Sequence, residues 1–329
     1  MVAGDVLSGT GATPGLRERL VLRARLYALI RAFFAQRGVL EVETPMLSAA
    51  ANTDPNIASF RTRFHGHADA GPATRWLRTS PEFPLKRLLA AGLGDCYELG
   101  RVFRDGEAGS RHNPEFTLLE WYRVGWDARR LALEVAELVQ AALASIAQTA
   151  RVEVLTYAEL FARALGVDAH GADVQTLRAA LGGLQVHPEG LDRDDWLDLL
   201  LTHRIQPLLP SGLITVVHDY PASQCALARV RPGDPPVAAR FEVYLGAFEL
   251  ANGYHELNDA AEQRRRFRAD NARRRARGLP AMPRDENLLA ALGDLPDSSG
   301  VALGVDRLLM GMAGAARIGE VLAFDFARA

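Results

Sequence analysis

The sequence predicts an α+β protein in which hairpin-joined strands alternate with amphipathic helices. Three observations carry that expectation. Around residues 98–123, ELGRVFRDGEAGSRHNPEFTLLEWYR, the β-favouring Tyr97, Leu99, Val102 and Phe103 precede a charged, glycine-rich loop. Phe116, Leu118, Leu119, Trp121 and Tyr122 follow it, as in a hairpin. Residues 16–37 and 127–150 instead repeat apolar side chains at helical spacing. Strand patterns then return at 212–221 and across Phe241, Val243 and Leu245.

In chain order, residues 1–15 are small, polar and glycine-rich and are read as a flexible lead. Their string GTGATPG is no dinucleotide fingerprint, because no strand precedes it and Pro14 stands where the third glycine belongs. Leu22, Leu26, Leu29, Ile30, Phe33 and Phe34 line one face of a helix ending near Gly38. VLEVETPML, 39–47, alternates as a strand until Pro45. Residues 49–76 form a loop-rich excursion, followed by a strand, a turn and a helix. Ser80 before Pro81, Glu82 and Phe83 marks that helix's start.

The helix over 127–150 places Leu131, Val135, Leu138, Val139, Ala142 and Ile146 on one face and Glu134, Glu137 and Gln140 on a polar one. Residues 155–210 read as wholly helical, broken at Gly166, Gly182 and Gly190. They form an insertion over one side of the sheet with no cluster of catalytic residue types. The arginine-dense helix over 264–278 reads as a solvated face or as a docking surface for an acidic partner or a polynucleotide. Residues 298–314 read as a strand entering a helix, with Arg307 near the helix start, where phosphate is favoured.

At 329 residues and 48% hydrophobic composition the chain can bury a substantial core. A net charge of −2 argues against a surface built to cover a nucleic-acid backbone. Cys96 and Cys225 are too few for a disulfide framework or a structural zinc site, so a cytoplasmic protein is expected. No run of eighteen apolar residues occurs, so no membrane span is expected.

Chemistry-bearing residues gather in a few places. The hairpin loop holds Arg104, Asp105, Glu107, Arg111, His112, Asn113 and Glu115, and its arginines offer the planar, bidentate donors that suit an anion. Glu242 falls on the strand face opposite Phe241, Val243 and Leu245, and Glu249, Asn252 and Glu256 follow. Such carboxylates can share magnesium when phosphates supply its other ligands. HELND has no second histidine four residues after His255, which reads as an ordinary core or rim histidine. With no GxxxxGK[ST], a P-loop is excluded. Arg104 and Arg307 facing Glu242 and Glu249 make an alternative phosphate and magnesium site, suited to in-line displacement at phosphorus. Glu82, Glu120 and Glu256 are then free for an ammonium-bearing substrate, and their charges repel unless cations enter.

FRDGEAGSRHNPEFTLLEWY resembles motif 2 of the class II aminoacyl-tRNA synthetases in its lysyl form. GVALGVDRL is similar to motif 3 and GVLEVETPML to motif 1. The resemblance runs from about residue 16 to the C-terminus and leaves no room for the anticodon-gripping OB-fold, as in bacterial paralogues that modify a lysine of elongation factor P. It implies one catalytic domain over 16–329, a mostly antiparallel sheet flanked by helices, dimerising through residues 20–47. It also implies ATP and Mg2+, β-lysine and elongation factor P as substrates, and no tRNA partner. The open alternatives are a truncated synthetase acting on tRNA or a free acceptor, and a non-catalytic regulatory paralogue.

Residue by residue, the resemblance puts Arg104 on the α-phosphate and Arg307 on the other face of ATP. Asp105, Gly106, Glu107, His112, Asn113, Phe116, Glu249, Leu250 and Gly304 complete the nucleotide site, with Glu242 and Glu249 as magnesium ligands. Ser80, Pro81, Glu82, Glu120, Tyr122, Asn252, Glu256 and Ala302 form the amino-acid pocket, Glu82 and Glu256 each taking one ammonium group. Two departures stand out. Gly106 occupies the family's usual glutamate position, with Glu107 next. Ala302 replaces the glycine common in lysyl-tRNA synthetases, a methyl that disfavours α-lysine if it points inward.

Overall fold

A computed structural model describes residues 15–184 and 186–329; residues 1–14, with most of the expected lead and its GTGATPG string, lie outside the described residues. Helix α1 (Leu16–Ala35) buries Leu26, Ile30, Phe33 and Phe34. The chain then turns at Gly38, whose φ of 68° favours glycine. The single strand expected over 39–47 is broken into β1 (Leu40–Glu41) and β2 (Leu47–Ser48), which belong to different sheets. After Val42 N donates to Tyr97 O, Thr44 turns inward, donating to Glu98 and accepting from Arg78, and Pro45 has no N–H to continue a ladder.

The excursion that follows contributes β3 (Arg61–Arg63) and β4 (Thr74–Leu77), which join β2 in a small three-stranded sheet. Helix α2 (Glu82–Ala90) begins where Ser80 Oγ accepts from Glu82 N at 2.9 Å. Strands β5 (Cys96–Phe103) and β6 (Glu115–Val124) form the expected hairpin. In α3 (Ala128–Ala144) the expected apolar face is buried, but Glu134 is not on a polar face. It is 3% exposed and accepts from Trp121 Nε1 at 3.0 Å and from Arg123, so a buried guanidinium drew the carboxylate inward.

The helical reading of the insertion holds for α4 (Tyr157–Leu165), α5 (Val174–Ala180) and α6 (Arg193–Leu200). Its first residues belong instead to β7 (Arg151–Thr156), which pairs in parallel with β8 (Leu213–Pro221). The insertion has its own core, including Phe161, Leu177, Trp196 and Leu200, packed on Val217 and Tyr244 of the sheet. Next come β9 (Val230–Arg231), β10 (Val237–Leu245), β11 (Phe248–His255), α7 (Ala260–Ala276), α8 (Glu286–Ala291), β12 (Ser298–Gly304) and α9 (Val305–Ala313).

The main sheet runs β1-β5-β6-β12-β11-β10-β8-β7, and only its outermost pairs, β1 with β5 and β7 with β8, are parallel. One face packs on α1, α3 and α9 through Leu119, Trp121, Val301, Leu303, Ala251, Phe241 and Val243. Side chains alternate along a strand, so the intervening residues face the other way. Cross-strand register then lines up Glu98, Glu120, Ala302, Asn252 and Glu242 in one row across five strands. The neighbouring row is Tyr122, Gly300, Tyr254 and Arg240.

Helix α7 is a solvated face in part, with Arg265, Arg268, Arg273 and Arg275 exposed, but two of its arginines are turned inward. Arg274 is 2% exposed and donates to Pro280 O and Asp54 O, and Arg266 donates to Ala226 O, Ala228 O and Glu262. Arg264 pairs with Glu286, and Arg277 pairs with Asp195 of the insertion.

Helix α9 is tied to its surroundings by Asp306, which accepts from Thr117 N at 2.8 Å and pairs with Arg23 of α1 at 2.5 Å. Asp306→Ala leaves a buried amide and a guanidinium without their acceptor and should cost about 3 kcal/mol. Urea unfolding checks this; a midpoint equal to that of the parent protein would contradict it.

Candidate active site

Glu120, Ala302 and Asn252 of the cross-strand row line the floor of a cleft of about 520 Å³. Into this cleft the structure brings Ser80, Glu82, Arg104, Glu107, His112, Asn113, Phe116, Glu120, Tyr122, Glu249, Leu250, Asn252, Glu256, Ala302, Gly304 and Arg307. Pro81, Asp105, Gly106 and Glu242 are not on its wall. Pro81 is buried at the start of α2, and Asp105 and Gly106 point to solvent at the loop's turn, where Gly106 has φ 81°. Glu242, at the β10 end of the same row, is buried there, accepting from Arg240 at 2.6 Å and from Tyr244.

At one end are the two arginines. Arg104 leaves the hairpin where its backbone N donates to Pro114 O, and its guanidinium lies 5.1 Å from the centroid of the Phe116 ring. Arg307 is in the first turn of α9, donating to Glu249 O at 3.0 Å and lying 2.6 Å from His112 Nε2. Burial and the charge of Arg307 hold His112 below the ordinary imidazole range, so at neutral pH the ring accepts from the guanidinium. Both guanidiniums line the cleft, Arg104 at 3.6 Å from Glu107 and Arg307 at 3.6 Å from Glu249. The Asn113 amide donates to Glu115 O and accepts from Phe326 N, so it fixes the loop.

At the other end three carboxylates converge. Glu120 accepts from Ser80 Oγ at 2.6 Å and Tyr122 OH at 2.8 Å. Burial, with the charge of Glu82 behind it, pushes its carboxyl up to about 8. Sequence reasoning left Glu82 and Glu256 free for a ligand, but Lys86 Nζ sits between them, 2.6 Å from Glu82 and 2.5 Å from Glu256. Burial alone would strip this amine of its proton; the charges of Glu256 and Glu82 outweigh it and hold Lys86 above its ordinary range. Even so, burial pushes Glu256 up to about 7. Lys86 was hidden in sequence because a glutamate and a lysine four apart on a helix usually form an exposed pair.

Tyr254 and Arg240 are further cleft residues that sequence reasoning did not single out. Asn252 donates to Tyr254 OH at 3.0 Å and accepts from Arg240 Nε at 3.2 Å, which fixes its amide beside Ala302. Asp192, Asp194, Asp195 and Asp198 of the insertion also reach the cleft, so that segment is not without chemical groups. Only their spacing at a helix start was visible in sequence, and that is equally the pattern of helix capping.

Residues 10–328 match the family model for class II tRNA synthetases (D, K and N), and the chain belongs to that family. It is 49% identical over 314 residues to proteins named elongation factor P (R)-β-lysine ligase from Klebsiella pneumoniae (strain 342) and Enterobacter sp. (strain 638). A protein of the same name from Edwardsiella ictaluri (strain 93-146) is 48% identical. Each match covers 94% of this chain and 95% of the relative.

Gly300 is where the acid cluster tolerates no side chain. A Cβ there would stand 2.2 Å from Tyr122 Cε1 and 2.6 Å from Glu256 Oε1. Gly300→Ala should therefore raise KM for the amino acid about 100-fold while leaving KM for ATP within about threefold. Pyrophosphate-exchange kinetics check this; an equal rise for both substrates would contradict it.

Proposed function

We propose that the chain is an ATP-dependent ligase that activates (R)-β-lysine as its adenylate and transfers it to the ε-amine of a lysine on elongation factor P. One observation carries the reading: Glu82, Glu120 and Glu256 line the same cleft as Arg104 and Arg307. The names of the relatives at 49% identity agree with it. Ala302 lies in the cleft wall, across the ladder from Glu120. Its methyl narrows the place where a lysine α-amine would sit, a discrimination of about 1–3 kcal/mol.

Two displacements follow. A carboxylate oxygen of the amino acid attacks the α-phosphorus of ATP and pyrophosphate leaves. The acceptor amine then attacks the carbonyl carbon of the mixed anhydride, AMP departs and the nitrogen loses a proton. Arg104 and Arg307 neutralise charge that grows on the phosphate oxygens, and the adenine ring would stack on Phe116. The pocket positions the carboxylate by holding both ammonium ends, so proximity drives each step without a protein nucleophile.

Glu249 suits a magnesium ion. Desolvation first, then the nearby charge of Glu242, raises its carboxyl, which a cation held at Glu249 in the cleft would offset. Among the described residues no group of three or more side chains that could hold a metal occurs, so phosphate oxygens would have to supply the ion's remaining ligands. Bound there, magnesium would screen the triphosphate charge. We further place the ligase in the cytoplasm as a single catalytic domain. A homodimer formed through residues 20–47 would cover Leu20, Leu40, Met46 and Leu47, which are 41%, 51%, 43% and 49% exposed.

The reaction is tested by mass spectrometry of elongation factor P incubated with the protein, ATP and each lysine isomer. The expected result is one added β-lysyl group on one lysine; charging of tRNA with no change in elongation factor P would contradict it. The pocket also sets a pH dependence. With its carboxyl pushed up to about 8, Glu120 is protonated in the empty pocket at neutral pH, whereas a diammonium ligand favours the ionised form. KM for β-lysine should fall by up to about tenfold per pH unit from about pH 6 and level off above about pH 8. Glu120→Gln should move the levelling-off down to about pH 7, where Glu256 titrates; a parent KM independent of pH would contradict this.

A further inference from the structure

We infer that Lys86 is an internal counter-ion that sets the pocket's charge, so that the pocket accepts a ligand with two ammonium groups. This rests on reading the cleft as an amino-acid site. Glu82 and Glu256 line the cleft, while Lys86, 2% exposed and not on the cleft wall, reaches them from α2. A ligand therefore meets the carboxylates and not the amine. The ionised cluster of Glu82, Glu120 and Glu256 carries three negative charges, and Lys86 cancels one. Two remain, matching the two ammonium groups of a diamino acid, whereas a monoamine would balance only one of them and leave Glu120 protonated.

The other groups facing the cluster do not change the count. Ser80 and Tyr122 are neutral donors to Glu120. Arg229 gives its Nε to the Glu256 carbonyl, not its carboxylate, and pairs with Asp297 at 2.7 Å. Arg240 is bound to Glu242. An ordinary glutamate–lysine helix pair is solvated and contributes little. This one is bridged to a second carboxylate from another element and sealed from water, so removing the amine exposes two acids to each other. Lys86 acts through Glu82 and Glu256 and is a positioning residue.

Pyrophosphate exchange with β-lysine, following KM for amino acid and ATP separately across pH, tests this. In Lys86→Met, KM for β-lysine should rise about 100-fold with KM for ATP within about threefold, because only the amino-acid end loses its counter-ion. Without the ammonium the carboxylates hold their protons more tightly, so the pH at which KM levels off should move up by about one unit or more. Lys86→Arg, which keeps the charge, should recover part of the loss. In Lys86→Ala, added ethylammonium should restore exchange saturably and ethanol should not. An unchanged amino-acid KM and pH midpoint in the methionine variant, or equal rescue by both additives, would overturn the inference.

If the variants do not fold, nitrogen-15 NMR of the parent protein decides. The Lys86 ammonium signal should persist unchanged when β-lysine binds; its shift to that of a solvated amine would mean that the ligand displaces it, and would overturn the inference. A parent protein that exchanges with no lysine isomer would instead refute the proposed function.

Discussion

The register of β6, β12, β11 and β10 is the constraint on which the site depends. It sets Glu120, Ala302, Asn252 and Glu242 in one row, with Leu119, Val301, Ala251 and Phe241 packed against the helices on the other face. Since side chains alternate, a slip of one residue would send each acid into the core and each apolar side chain into the cleft. The hydrophobic pattern that makes the core thus also specifies which polar groups meet. Gly253 belongs to the same design, since a Cβ there would stand 2.4 Å from Phe241 Cζ.

Buried charge in this protein is organised in local groups, each closed before a ligand enters. Arg78 and Glu98 pair at 2.6 Å and fasten the segment through Thr44 to the sheet. Arg123 is held by Asp95 and Glu134, Arg240 by Glu242, and Lys86 by Glu82 and Glu256. Breaking such a pair costs more than forming it gains, because the surviving charge stays out of water. Glu120 is different: its partners in the cleft are neutral hydroxyls. It is the acid in the pocket left without a cation, at the point where an ammonium group would enter.

Much of this was legible in the chain. The hairpin appeared where β-favouring residues flank a charged loop, and the strand leading into α9 placed Arg307 as its glycine-bounded pattern implied. The gathering of loop, strand and helix-start residues in one cleft was visible as chemistry before it was visible as geometry. What stayed hidden depended on long-range partners. Lys86 and Glu134 look like surface helix residues, and only the sheet packed beneath them turns them into buried ions. Arg266 and Arg274 of α7 look solvated for the same reason, since their backbone acceptors Ala226 and Asp54 lie far away in sequence. The break at Thr44 also needed a tertiary partner, the buried Glu98 and Arg78 pair.

The central claim is that this row of side chains holds a diammonium acid at one end while two arginines hold its activated carboxyl at the other. A crystal structure with a non-hydrolysable sulfamoyl analogue of β-lysyl-adenylate measures it directly. The expected result has ligand ammonium nitrogens within about 3 Å of the cleft carboxylates and the sulfamoyl group between Arg104 and Arg307. An analogue seated elsewhere, or guanidinium groups turned away from it, would contradict the claim.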